Sequence, residues 1–322
     1  MKKTVAFGEL LLKLQPEGYF RFTQSDKFCF NFTGTEANVL VSLSSFGLPT
    51  TYVTKLPDNQ ISDSAINSLR KFGVNTDNIK RGGERIGIFF CEKGASQRAY
   101  NVIYDRKHTS ISTATLSDFN FEEIFKDANW FHLTGITPAL SENLVEVCLH
   151  ALKTAKKMGL TISFDINYRS KLWDIDKAKE TIKKLLPYVD YCKDLFWYEE
   201  ELTPEQTAKK MIEDFNLKGV FYSLRNSKTV SEQDLSGVFC TKEGCYYSKK
   251  YSMQIVDRIG GGDAFSAGII YALQQGFTPQ KTIDFAVGAS CLSHSIEGDF
   301  NLVSAKEVES LLNDDGSYRA KR

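Results

Sequence analysis

Asp263 follows three consecutive glycines, Gly260, Gly261 and Gly262, and opens a run of small and apolar residues with helical spacing, AFSAGIIYAL. A glycine run is costly, because glycine loses more conformational freedom on folding than any other residue. Placed ahead of a helix, it bares main-chain N–H groups and the positive end of the helix dipole at one point, where an anion is favoured. A carboxylate at that point can take a proton while the amides hold developing negative charge. An aspartate cap after a glycine turn is the structural alternative, but a cap does not need three glycines. Asp257, six residues upstream of Asp263, frames the stretch as D-x-x-G-G-G-D.

The better-known phosphate-binding patterns do not fit. A P-loop needs a Gly-Lys step, and the chain has none. A dinucleotide fingerprint needs a third glycine where Phe265 stands, and it belongs near the first strand rather than this late in the chain. The H-R-D and D-F-G signatures of protein kinases are missing.

The elements that must position Asp263 read as strands alternating with helices. TVAF and TYVTKL have strand character, and EANVLVSLSSFG between them has helical spacing and stops at Gly47. DSAINSLRKFG repeats that pattern. WFHLTG, LTISFDINYR, YCKDLFW and GVFYSL follow as strands, separated by helical SENLVEVCLHALKTAKKMG, DKAKETIKKLLPYV and PEQTAKKMIEDFN. The expected fold is α/β, a central and mostly parallel sheet covered by helices on both faces. Residues 10–33 and 85–106 break the alternation and read as strand, turn, strand, rich in aromatics. They predict a small antiparallel flap, or lid, on a single domain spanning 1–322. The tail NDDGSYRAKR is expected to fray.

Composition bounds the partners. The 322 residues carry 40 Lys and Arg against 40 Asp and Glu, a formal net charge of zero, which argues against a nucleic-acid coat. No apolar run approaches the roughly 20 residues a membrane helix needs. Gly8, Glu9 and Lys13 interrupt the apolar N-terminus, so it reads as the first strand rather than a secretion signal. The seven cysteines are scattered without a C-x-x-C, and are expected to be reduced thiols in a cytoplasmic protein. Exposed flap aromatics would be a liability unless covered, so a homodimer joined through the flaps is expected.

The stretch from Asp257 to Phe265 resembles the C-terminal signature of the ribokinase-like, or PfkB, sugar kinases, D-[TS]-x-G-[AG]-G-D-x-F, with Arg258 in place of the usual Thr or Ser. The family's N-terminal G-G-x-x-x-N motif is matched at Gly34, Glu36 and Asn38, with Thr33 in place of the first glycine, a change that could narrow the sugar site. Within the family, EKGASQRAYNVIYDRKHTSIS, FDINYRSKLW, SLRNSKTVSE and HSIEGDFNLVS are similar to 2-keto-3-deoxygluconate kinases. The resemblance implies transfer of the ATP γ-phosphoryl, with Mg²⁺, to the terminal hydroxyl of a sugar acid. It makes Asp263 the base and Gly260, Gly261 and Gly262 the oxyanion cradle. It puts Gly34, Asn38, Phe90, Tyr104, Arg106, Arg169 and Asp299 on the sugar acid, and Asn167, Arg225, Asn226, Gly260 and Gly262 on the nucleotide. The arginines make chemical sense, since their planar fork binds a carboxylate with two parallel hydrogen bonds. The family's N-x-x-E motif has Tyr198 where Asn is usual, and Glu201 keeps the acidic position as a metal-side residue. Two alternatives stand beside this reading. One is a fructokinase-like enzyme that shares Asp263 and the glycines. The other is a catalytically silent protein that binds a sugar acid or nucleotide, which the Tyr198 replacement would suit.

Overall fold

Two periods in the sequence generate the architecture: apolar strand cores, and helices with one apolar stripe. In the computed structural model, which describes residues 3–313, the chain begins β1 (Lys3–Phe7), β2 (Leu11–Pro16), β3 (Phe28–Thr33), α1 (Thr35–Ser45), β4 (Thr50–Leu56) and α2 (Gln60–Arg70). Short β5 (Val74–Asn75) and β6 (Ile79–Arg81) lead to β7 (Gly87–Glu92) and β8 (Asn101–Asp105). Then come α3 (Phe121–Phe125), β9 (Ala128–Thr134), α4 (Ile136–Ala139), α5 (Glu142–Lys157), β10 (Thr161–Asp165), α6 (Ile175–Leu185), β11 (Tyr191–Lys193) and α7 (Pro204–Phe215). The chain closes with β12 (Gly219–Ser227), β13 (Glu232–Thr241), β14 (Cys245–Tyr247), β15 (Tyr251–Gln254), α8 (Gly261–Gln274), α9 (Pro279–Ser293) and α10 (Ala305–Leu312). The expected fraying of the tail concerns residues largely outside those described.

The large sheet has 11 strands, running β14-β13-β12-β11-β10-β9-β1-β4-β5, with β15 on β13 and β6 on β4. From β12 through β4 the neighbours are parallel; β13, β14 and β15 turn the far edge antiparallel. Successive residues of a strand face opposite sides, and the two cores follow from that. Val5 and Phe7 of β1 and Phe131 and Leu133 of β9 enter one core with α5, while Ala6 and Trp130 enter the other with α1, α2, α8 and α9. This is the ribokinase-like fold, a helix-covered parallel sheet carrying a small second sheet.

That second sheet runs β3-β2-β7-β8. Each hairpin, β2–β3 and β7–β8, is antiparallel, and the two meet along β2 and β7, which run parallel. Phe89 and Cys91 pack with Leu11 on the face toward the large sheet, joined by Tyr100, Val102 and Ile259. Ile259 directly precedes the glycine run, so the flap grips the chain at that turn.

The cysteine expectation needs correction. Cys240 and Cys245 face each other across β13 and β14, Cα atoms 4.0 Å apart, and form a disulfide. A tight hairpin with a cross-strand cysteine pair brings thiols together without the C-x-x-C spacing sought in the sequence. Cys29, Cys91, Cys148, Cys192 and Cys291 are free.

Candidate active site

A cavity of about 600 Å³ opens at the C-terminal ends of the parallel strands, under the flap. This is where open α/β sheets place ligands, at the point where strand order reverses about β1. Two helices point into it, α1 and α8, and both begin on a glycine with no side-chain cap, Gly34 and Gly260. Most other helices are capped by a side chain, such as Asn59, Ser141, Asp174 and Thr278. The uncapped ends leave their first amides for a ligand.

Each glycine of the run answers a separate demand. Gly260 has φ 84°, and a Cβ there would lie 2.1 Å from the Asp299 carbonyl oxygen. A Cβ on Gly261 would lie 2.1 Å from His294 Cε1. Gly262 faces the cavity, with Lys193 Nζ and Arg225 Nη2 at 3.2 and 3.4 Å from where its Cβ would be. Helix α8 closes its first intrahelical bond from Ala264 N to Gly260 O, so the amides of Gly261, Gly262 and Asp263 stand at the open end. Gly34 is held to glycine by contact as well, its Cβ position lying 2.2 Å from the Glu9 carbonyl oxygen.

Asp263 sits in the first turn of α8. Its Oδ2 accepts a 2.7 Å hydrogen bond from Asn38 Nδ2 on α1. Burial lifts its carboxyl to about 7, against the pull of Lys193 and the Asn38 bond and with the help of Asp165. An aspartate of ordinary pKa would be ionised at neutral pH; this one is poised near it.

Lys193 ends β11 beneath Asp263. Its Nζ reaches Asp165 Oδ2 at 2.8 Å and the Gly262 carbonyl at 3.0 Å. Burial works against the ammonium, but Asp165, Asp194 and Asp263 outweigh it and its pKa stands above the ordinary value. Asp165 Oδ1 is buried with no hydrogen-bond partner. Asn167 and Asp194, both lining the cavity, hold left-handed φ angles of 41° and 67° that few non-glycine residues adopt. Burial raises the Asp194 carboxyl, with Lys193 opposing.

The opposite wall is acidic at its base and cationic at its rim. Glu36 Oε1 accepts from Thr134 N, Thr134 Oγ1 and Thr137 Oγ1, and burial pushes its carboxyl to about 7 against those bonds. Glu9, also raised by burial, is ion-paired with Arg106, whose guanidinium lies 5.2 Å over the Tyr104 ring. Arg169 is exposed, and its Nη1 donates to its neighbour's carbonyl, Tyr168 O. Arg258 donates to Val230 O and keeps a buried Nε without a partner.

Of the residues singled out in the sequence, Gly34, Asn38, Tyr104, Arg106, Asn167, Arg169, Arg225, Gly260, Gly262 and Asp263 line this one cavity, and Gly261 lies buried just behind it. Four stand elsewhere. Phe90 points to the outer face of the flap, against Phe22 and Phe28; strand alternation gives the cavity to Phe89 instead. Asp299 is buried in an ion pair with Lys13 at 2.5 Å. Asn226 faces away from Ser223 and Arg225 by the same alternation along β12. Glu201 is exposed and outside the cavity, and Tyr198 donates to Asp214 on α7. Asp194 is the carboxylate that enters the cavity after β11, and Asp165 lies buried behind it against Lys193. Those two, with Lys193, Glu9 and Arg258, were not recognised as site residues in the sequence. The available signal was a charged residue closing a buried apolar strand, as in FDIN and YCKD.

A helix-covered parallel sheet with a flap, a glycine-cradled helix end and a buried aspartate define a phosphoryl-transfer enzyme of ribokinase-like architecture. The sequence profile described as pfkB family carbohydrate kinase matches residues 1–303, and the chain belongs to that family. It is 40% identical to a solved Thermotoga maritima 2-dehydro-3-deoxygluconokinase, with a TM-score of 0.93 over 98% of this chain and 100% of that one. It is 31% identical to a Haloferax volcanii 2-dehydro-3-deoxygalactonokinase over 96% of each chain, and 26% identical to a Bacillus subtilis 2-dehydro-3-deoxygluconokinase over 94% and 93%. No helix among the described residues is long and apolar enough to cross a membrane.

Proposed function

We propose that this chain transfers the γ-phosphoryl of ATP to the terminal hydroxyl of 2-keto-3-deoxygluconate, giving 2-keto-3-deoxy-6-phosphogluconate. The observation that carries the reading is the pairing, in one cavity, of Asp263 at an uncapped helix end with the free guanidinium of Arg169. A sugar acid differs from a neutral sugar by a carboxylate, and Arg169, in the loop after β10, lines the cavity with a fork that no protein carboxylate holds, unlike Arg106. The full-length likeness to enzymes named for this substrate supports the same reading.

Asp263 accepts the hydroxyl proton as the oxygen attacks phosphorus. Asn38 aims its carboxylate. The amides at the start of α8 hold the phosphoryl oxygens as charge spreads over them, and Lys193 and Arg225 flank Gly262 with positive charge. The flap excludes water, the competing acceptor. Magnesium brought with ATP would neutralise phosphate charge. Among the described residues no cluster of three ligating side chains offers a ready-made metal cage. That suits a cation held chiefly by phosphates with one or two carboxylates, and Asp194 and Asp165, the latter with its orphaned Oδ1, fit that part.

A coupled ATP assay on sugar acids and neutral sugars tests the proposal: turnover far faster on the ketodeoxy acid than on any neutral sugar is expected, and equal turnover of fructose would overturn it. The epimer 2-keto-3-deoxygalactonate belongs on the panel because of the Haloferax volcanii relative. Tyr198 lies away from the cavity, so its replacement of Asn gives no support to a silent binding protein. We place the reaction in the cytoplasm, where ATP is made. Exposed Tyr19, Phe20, Phe28 and Phe30 support pairing of two copies through the flap, which light scattering would detect.

A further inference from the structure

Thr33 ends flap strand β3, stands one residue before the glycine that starts α1, and is buried. Its Oγ1 donates to Asn38 Oδ1 at 3.2 Å, and the Gly34 amide points at the same oxygen from 3.5 Å. With both donors on Oδ1, the Asn38 amide can present only its NH₂ to Asp263, and Nδ2 does reach Asp263 Oδ2 at 2.7 Å. A residue without a hydroxyl at position 33 would leave one long contact to choose the orientation of that amide.

The end of the strand also adjoins Asp299. Its Oδ1 takes the Lys13 ammonium from β2 and its Oδ2 closes no hydrogen bond, so the one Thr33 proton stays with Asn38. The Asp299 carbonyl oxygen in turn lies against Gly260. Thr33 therefore stands where the root of the flap meets both the aspartate and the glycine turn.

We propose that Thr33 is a positioning residue: its hydroxyl fixes the Asn38 amide, and through it the Asp263 carboxylate, in the orientation that receives the substrate proton. Thr33 also lines the cavity, but the role assigned to it acts through Asn38. The inference rests on the kinase reading for its meaning, but it can be tested without it.

The groups acting on Asp263 are Asn38 from α1, Lys193 from the end of β11, Asp165 from β10 and Arg169 beyond it, with Asp194 acting on Lys193. Thr33→Val leaves all of them in place and removes only the hydroxyl. A hydrogen bond to the ionised form lowers a carboxyl pKa, so weakening the Asn38 donor raises it. In substrate-free protein labelled with ¹³C-aspartate, with the Asp263 signal assigned by its loss in Asp263→Asn, T33V should move the titration of Asp263 upward by roughly half a unit to one unit. Thr33→Ser should restore it. In turnover, T33V should lower kcat about 5- to 10-fold at pH 7 with KM for the sugar little changed, and T33S should rescue. Thermal unfolding confirms that the variant is folded; should T33V fold poorly, Thr33→Ala carries the same measurement. A folded variant whose Asp263 titrates where the wild type does would overturn the inference, whatever the assay gives. A wild-type enzyme inert toward every sugar acid would instead overturn the proposed function, and the titration would still decide the role of Thr33.

Discussion

Asn38 and Asp263 are 225 residues apart in the chain and 2.7 Å apart in the fold. Helix α1 brings the amide and helix α8 the carboxylate, and both helices start on glycines that let a ligand approach their ends. The bond joins the two motifs into one device. It also offsets part of the cost of holding a carboxylate in a buried place, and burial still prevails, leaving Asp263 at about 7.

The first consequence is a pH dependence. Below about 7 Asp263 is protonated and cannot accept the hydroxyl proton, so kcat/KM should rise tenfold per unit from pH 5 and level off above about 7. A carboxyl raised in the folded state also makes stability fall with rising pH, because between the unfolded value of 3.8 and about 7 the native chain holds a proton that the unfolded chain has released. Asp263→Asn should therefore melt higher than wild type at pH 8, with the gap closing toward pH 4. Scanning calorimetry across that range checks it; a gap independent of pH would contradict the poised aspartate.

Arg106 and Arg169 should separate by function. Arg169→Ala is expected to lower kcat/KM for the sugar acid about 10- to 100-fold and to leave any neutral-sugar turnover almost unchanged. Equal loss on both substrates would remove the carboxylate assignment. Arg106→Ala instead strands the buried Glu9, so urea unfolding should show a loss on the order of 3–5 kcal/mol.

Gly260 and Gly262 should differ in the same spirit. Gly260→Ala meets a left-handed backbone and the Asp299 carbonyl at once, and should cost about 1–3 kcal/mol in stability together with turnover. Gly262→Ala meets only the ends of two flexible cationic side chains, at 3.2 and 3.4 Å. It should keep its melting temperature and lose activity, because the methyl occupies the phosphoryl cradle. Steady-state kinetics beside thermal melts of both variants distinguish these outcomes.

Reduction should loosen the protein without silencing it. Cys240 and Cys245 close a short loop, and chain entropy assigns such a link about 2 kcal/mol. Neither cysteine lines the cavity. Urea unfolding with and without reductant should differ by about that amount, at unchanged kcat.

Much of this was legible in the sequence, for physical reasons that are easy to name. The parallel strands are short apolar runs ending at polar residues, and their helices carry caps and terminal glycines, so TVAF, LTISFD and GVFYSL announced themselves. The strands of 232–254 did not: EQDLSGVFCT mixes polar and apolar residues because it belongs to an antiparallel edge, and its partners β14 and β15 are three and four residues long. In the site, glycines and Asp263 stood out because their types are unusual together. Phe89 and Phe90 are adjacent and chemically equal, and only the register of β7 decides which meets the cavity. Motif spacing points to Glu201, but the chain leaves the sheet after Lys193 and takes that residue outside. The Lys193–Asp165 pair joins residues 28 apart on neighbouring strands, and no spacing rule finds a contact made by strand order.

The central claim is that Asp263 removes the proton of the attacking alcohol while the glycine amides hold the phosphoryl group. The most direct measurement is the kcat of Asp263→Asn with ATP and 2-keto-3-deoxygluconate at pH 8, beside a nucleotide-binding isotherm. A fall of about 10²–10⁴ with ATP affinity retained is the expected result. A folded variant that turns over as fast as wild type would contradict the account.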